Sequence, residues 1–540
     1  RLDGVTGVQT CALPIFYPWS MIYAGNIKNL VLPFWTRYVQ SGFPVMAEGQ
    51  IGGFYPPHMI FYFLFPFRFA YNYLTVIHFA LAGIFTYIYT KKMGGCEWGS
   101  ALAAFIFCFG GAYAGCMINT ATLKALTWLP LVLFLYEKYF ESRKPAILAF
   151  AGVATGLQLL SGAPQAALYS AFLCLVYFLT GLGVRSKVRF SDIAWMSMTM
   201  AIAAGIFLPQ FVLTKVLAGL SWRSGANLDF ALSGSFSPLA FISVVFPYPV
   251  PGGARVYIGL LSVLFLMAAV RQNLKTRTIY PIFAVLAVSV FVALGKYNPL
   301  FAAMIRFFRI YDFRGPSKAI LFTIFSMSVL SGIGFTVFFE KGKDRQFYLR
   351  IFSGFLSFML VVFLASKAVL VIFKDRIISL GEYLVTRDIY GQPFHRHDLS
   401  IYLKKVKGFY DSMVASSSFS LWPNLFSVLL CAGLIAVCFY VLTGKKKIIV
   451  FTRSAAAALI FIDLAVFSSY GTGFRGNIRN FDFVDPAYSE IFKVINKDKT
   501  LFRIFPYNVA SAKLPNWTVP SLNSIYGIDS IALYTPLANE

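Results

Sequence analysis

Residues 71–100 read YNYLTVIHFALAGIFTYIYTKKMGGCEWGS. Twenty residues pass with no Asp, Glu, Lys or Arg and one histidine, His78, and then Lys91 and Lys92 arrive together. A hydrocarbon layer about 30 Å thick is crossed by about 20 apolar residues in an α-helix. The paired lysines at one end are what a cytoplasmic boundary carries. The stretch therefore predicts a membrane span with a stated direction, and it sets how the rest of the chain is read.

The pattern recurs from Tyr71 to Ser469. Spans are expected near 71–90, 101–118, 123–140, 146–160, 164–181, 191–213, 256–270, 279–295, 318–339, 349–373, 421–443 and 449–469, about twelve in all. The composition agrees: 58% of the 540 residues are hydrophobic and 13% are charged, where a soluble chain has about 25% charged. The expected class is an all-α polytopic membrane protein.

Direction is checked by the loops. With 71–90 running inward, every second loop should be short and basic. Those loops are KKMGGCEWGS, EKYFESRK, RSKVRF, RQNLKTR, EKGKDRQFYLR and GKKK, each with at least two Lys or Arg. The alternate segments, 16–70, 214–255, 296–317, 374–420 and 470–540, are longer and rich in Pro, Gly, Tyr and Trp. They are expected outside, and function is expected on their face. The net charge of +25 fits positive-inside loops and anionic headgroups, with a phosphate-bearing ligand as an added cause. Nucleic acid is not an expected partner.

Four regions follow. Residues 1–15, RLDGVTGVQTCALPI, lack a signal-peptide apolar core and resemble a translated sequencing adapter, so the reading starts at Phe16. Residues 16–70 form a first outer segment, with a membrane-surface helix expected over 26–40, interrupted at Pro33. Residues 71–469 form the helical membrane domain. Residues 470–540 alternate polar and apolar residues, and read as a truncated outer α/β segment with a helix over 487–496 followed by a strand. The seven cysteines form no framework and read as small core residues.

Candidate chemistry lies in the outer segments. In GFPVMAEGQIGGFYPPH (42–58), Glu48 is a lone acid in a Gly/Pro-rich turn. It reads either as a solvated loop acid or as a general base or metal ligand at the membrane surface. His58 reads as an interfacial ring or a ligand, and His78 as a neutral imidazole bonded to a neighbouring helix. Lys124 opens a span, where it either snorkels to the interface or binds phosphate. Gln165 tips a tight hairpin and reads as structural. Arg223 sits in a Trp- and Ser-containing loop and can grip phosphate oxygens. Arg306, Arg309, Arg314 and Lys318 crowd one span mouth around Asp312, which suits lipid headgroups or a specific lipid-phosphate site. A divalent metal is a candidate cofactor with no ligand set identified. No P-loop, HExxH, GxSxG or zinc spacing is present.

The ordered set FYPWS…GFPVMAEGQIGGFYPP, TWLPLVLFLYEKY, LQLLSGAPQAALY, FLPQFVLTKVLAGLSWRSG, YIGLLSVLFL and FRGPSKAILF resembles bacterial YfhO-type membrane proteins, and NSIYGIDSIALYTPL resembles their C-terminal outer part. The resemblance implies a GT-C-like glycosyltransferase of the bacterial cytoplasmic membrane. Its donor would be a polyprenyl-phosphate sugar and its acceptor a cell-envelope polymer such as a teichoic acid, joined on the outer face. The family places an acid shortly before the YP of the first outer loop. That position falls within residues 1–15 here, Asp3 is not at matching spacing, and the chain as written is expected to lack that acid and to be inactive. A lipid-linked sugar transporter or a non-catalytic envelope assembly protein is the rival expectation.

Overall fold

The computed structural model describes residues 12–38, 42–117, 119–185, 189–220, 227–247, 256–273, 279–311, 313–341, 344–388, 398–443 and 453–471. Among them the chain is helical, without a strand; a single antiparallel bridge joins Thr36 to Phe43. Seven helices are long and apolar enough to cross a membrane: Phe67–Lys92, Glu97–Gly115, Pro164–Val184, Phe190–Gly219, Pro316–Glu340, Arg345–Ile372 and Trp422–Thr443. The other segments expected to span are helical too: Thr120–Thr127 followed by Leu129–Ser142, Pro145–Leu160, Leu260–Asn273 and Tyr280–Ala293 are shorter or broken, and Arg453–Gly471 is one helix of 19 residues.

The surface helix expected over 26–40 is not formed. A helix runs instead over Ala12–Lys28, starting before Phe16. It ends where Leu30 takes a left-handed φ of 58°, which helix geometry excludes. Trp19 and Tyr23 on this helix are fully buried, and Tyr23 donates to Gly53 O at 2.6 Å. This helix is thus packed into a cluster with Phe43, Met46 and Tyr62 of its own segment and with Tyr71 and Leu217 of the long helices. The tail helix and strand expected beyond 470 lie outside the described residues.

The helix Ile320–Thr336 is the centre of the bundle, with all seventeen residues buried. It packs on Glu97–Phe109, Leu260–Asn273 and Tyr280–Ala293. Small residues permit this. A Cβ on Gly334 would lie 3.0 Å from Ala269 N and still closer to the Phe265 carbonyl, and one on Gly332 would lie 2.8 Å from the Ala103 side chain. In hydrocarbon, where helices gain nothing from excluding water, such close backbone approach supplies the packing.

The two ends of the bundle are held by different chemistry. At one end, ion pairs join Lys91 to Glu97, Lys92 to Glu141, Arg143 to Asp192 (2.7 Å), Arg271 to Asp344 (3.6 Å) and Arg453 to Glu340 (3.7 Å). Cys96 N donates to Thr336 Oγ1 at 2.8 Å, which ties the two groups of loops together. Every loop joined here is adjacent to or within one read as short and basic. At the other end the loops are joined by backbone hydrogen bonds. Phe236 N donates to Ala293 O at 2.8 Å, Gly315 N to Ser233 O at 2.8 Å, and Gly111 N to Tyr257 O at 2.9 Å. The alternation read from charge therefore recurs in the contacts.

The last helix is anchored at this second end by an acid that the sequence reading passed over. Asp463 accepts from Tyr257 Oη at 2.5 Å and from Leu260 N at 2.8 Å. Leu260 opens its helix, so Asp463 satisfies one of the backbone donors that a helix start leaves free. Asp463→Ala strands two buried donors and is expected to lower stability by about 1–3 kcal/mol, read as an earlier thermal unfolding in detergent.

Candidate functional site

The carboxylate of the first outer segment is built into the fold. Val45–Glu48 forms one helical turn. Its carbonyls are held from the long helix Phe190–Gly219: Gln210 Nε2 donates to Met46 O at 2.8 Å and Thr214 Oγ1 to Ala47 O at 2.8 Å. Gly49 (φ 81°) and Gly52 (φ 67°) then turn the chain back through left-handed conformations, which cost glycine little. Glu48 lies inside this turn at 2% exposure. It accepts from Gln50 N at 2.8 Å and from Gln50 Nε2. The reading of Glu48 as a solvated loop acid is corrected: docking of the turn on Gln210 and Thr214 buries it.

The turn leads into the helix Pro56–Leu64. His58 Nδ1 lies 3.0 Å from Gly52 O. A carbonyl only accepts, so Nδ1 carries the proton and Nε2 presents a lone pair. Lys124 Nζ donates to that lone pair at 2.8 Å. Lys124 is 3% exposed, so it does not snorkel to the interface as one reading had it. Thr120–Thr127 packs against Phe67–Lys92, Leu129–Ser142, Pro145–Leu160 and Pro164–Arg185, which closes the route to water. His58 is likewise buried rather than interfacial. No acid forms an ion pair with Lys124 among the described residues.

A second neutral network adjoins the first. His78 Nδ1 lies 2.6 Å from Leu74 O and His78 Nε2 lies 2.6 Å from Tyr55 Oη. Trp128 Nε1 donates to Tyr55 Oη at 3.0 Å. The same rule makes His78 a neutral Nδ1–H imidazole that accepts from tyrosine. Its side-chain partner comes from the first outer segment rather than from another span.

The hairpin 161–165 connects the turn to the cationic loop. A Cβ on Gly162 would lie 3.2 Å from Gly52 N, so the two backbones abut. At the far side of the hairpin, Gln165 Nε2 donates to Arg314 O at 2.5 Å, and Lys318 Nζ donates to Gln165 Oε1 at 2.8 Å. Arg314 and Lys318 are exposed, with the Arg314 guanidinium 5.7 Å over the Phe230 ring. Glu48, His58, Lys124, Arg314 and Lys318 are thus linked through one run of contacts at the second end. Arg306 and Arg309 stand apart, exposed, on and just after the surface helix Pro299–Phe308. Arg223 and Asp312 lie outside the described residues. Sequence reasoning missed Gln50, which bonds Glu48, and understated Gln165, which bridges to the Arg314–Lys318 loop; no local pattern marks either amide. No group of three His, Cys, Asp or Glu is placed to hold a metal among the described residues.

Burial, and next the positive Lys124, push the His58 pKa well below the ordinary histidine value. The unfolded chain then binds a proton below about pH 6.5 that the folded chain refuses. Stability from His58 is full above that pH and falls as the pH drops through it toward the folded value. Thermal unfolding in detergent is expected to show this decline, and His58→Gln to flatten it. An unchanged slope in the variant removes His58 as its source.

Comparison of the chain with protein-family models, with curated proteins and with solved structures returns no match.

Proposed function

We propose that this chain is a membrane glycosyltransferase of GT-C-like architecture with about twelve spans. It moves a sugar from a polyprenyl-phosphate donor to a cell-envelope polymer on the extracytoplasmic face of a bacterial membrane. The second end carries the site, and the ion-paired end faces the cytoplasm. One observation carries the reading: the Glu48 turn and the Arg314–Lys318 loop rest on opposite sides of the same hairpin, 161–165. A carboxylate and exposed cations on one rim are what this reaction needs.

The acceptor hydroxyl oxygen attacks the anomeric carbon. The bond from that carbon to the phosphate oxygen breaks, and its electron pair leaves with the lipid phosphate. Arg314 and Lys318 stabilise the charge that grows there, and Arg306 and Arg309, on the separate surface helix, face lipid headgroups. Glu48 takes the hydroxyl proton. Gln50 holds the carboxylate in place through its backbone N and its side-chain amide. The two glycines that flank Gln50 and Ile51 give that turn the freedom to admit the hydroxyl. Lys124, bonded to His58, fixes the helix that follows the Glu48 turn.

The test supplies membranes containing the protein with a radiolabelled polyprenyl-phosphate sugar and follows label into envelope polymer. Covalent incorporation that depends on the protein supports the assignment. Movement of label across the membrane without incorporation assigns the chain to lipid-linked sugar transport instead. Neither incorporation nor movement leaves a non-catalytic assembly role.

A further inference from the structure

A groove far from the Glu48 rim opens between the helices Leu260–Asn273 and Arg345–Ile372, with a volume of about 550 Å³. That is within the range of small-ligand sites. Val263, Met267 and Val270 line one wall, and Ile351 and Phe355 the other. From Val263 to Arg271 the helix rises about 12 Å, so the groove runs along the bundle for much of one leaflet. Its walls are apolar.

Its mouth is not. Arg271 lines it at the ion-paired end, with the guanidinium 3.6 Å over the Phe347 ring and 3.6 Å from Asp344. This guanidinium is 47% exposed and has donors left for an anion, since Arg carries five N–H groups. Tyr348 also lines the groove and is 2% exposed, yet its hydroxyl has no hydrogen-bond partner among the described residues. Buried hydroxyls are rarely left so. An oxygen-rich group seated at the mouth would accept from both residues. An elongated apolar slot that ends in a cation and an unsatisfied hydroxyl matches one molecule of an acidic phospholipid.

We infer that this groove is a specific phospholipid site: one acyl chain lies between the two helices, and the headgroup phosphate is held by Arg271 with Tyr348 donating to a phosphate or ester oxygen. The occupant comes from the leaflet at the ion-paired end. The site is independent of the sugar-transfer reading.

The experiment purifies the protein, exchanges it through nanodiscs of phosphatidylglycerol or of phosphatidylcholine, and counts retained lipid by native mass spectrometry. The expected result is one retained phosphatidylglycerol per chain and a clear preference over phosphatidylcholine. An interfacial cation is worth about 1 kcal/mol toward an anionic lipid, so Arg271→Gln should cut that preference about fivefold. Val270→Trp, which fills the slot, should abolish retention, and Tyr348→Phe, a change too small to disturb the fold, should weaken it. Equal retention of the two lipids by the native protein overturns the inference. So does full retention in Val270→Trp, or in both Arg271→Gln and Tyr348→Phe.

Discussion

Glu48→Gln, made in a full-length parent, is expected to slow sugar transfer by about 10²–10⁴-fold, the usual contribution of a positioned general base. The substitution is nearly isosteric. Its side-chain oxygen still accepts from Gln50 N, at the 2.8 Å position that Glu48 Oε2 holds now. The new amide nitrogen faces the Gln50 amide, so one hydrogen bond is lost, worth about 1 kcal/mol. The Val45–Glu48 turn keeps its anchors on Gln210 and Thr214. The variant should therefore fold, be extracted normally and bind donor as before, with the loss confined to turnover. Transfer within about twofold of the native rate would remove Glu48 from the chemistry. Weakened donor binding with unchanged turnover would place it instead among the groups that shape the rim.

The second large effect is structural. Gly334→Leu is expected to prevent the bundle from forming, so that no monodisperse peak survives size-exclusion chromatography in detergent. A side chain there meets backbone: the Phe265 carbonyl and Ala269 N lie where its first carbon must go. Backbone atoms do not swing aside as a side-chain end does. The two helices must separate, and a helix buried on every side has no free face to which the error can be moved. Overpacking costs about 1–3 kcal/mol where neighbours can yield, and more where they cannot. Gly334→Ala should be milder and destabilise measurably without loss of the fold. A Gly334→Leu protein that unfolds within a few degrees of the native one shows that this contact is not required.

What the sequence disclosed was the part that hydrocarbon enforces. Length and polarity of the runs identified the helices, and the basic loops predicted which of them share an end, as the Lys92–Glu141 and Arg143–Asp192 pairs bear out. The rim was legible in its residue types but not in its burial. Glu48 and Lys124 read as surface groups because each stands at the edge of an apolar run. Their actual surroundings come from residues 164 and 66 positions away, Gln210 above Met46 and His58 against Lys124. No local periodicity carries that information. Asp463 was the opposite case. An acid inside an apolar helix is costly enough to demand a partner, and the partner, the start of Leu260–Asn273, could have been sought.

The enclosed helix also bears on biogenesis. Its neighbours, Glu97–Phe109, Leu260–Asn273 and Tyr280–Ala293, all precede it in the chain. When residues 320–336 leave the ribosome, the walls of their slot already exist, and insertion amounts to closing a cleft that must have stayed open to lipid until then. The half-made protein therefore exposes a small-residue surface, with Gly99 and Ala103 in it, at one moment of synthesis, and that is the interval in which a membrane chaperone has something to hold.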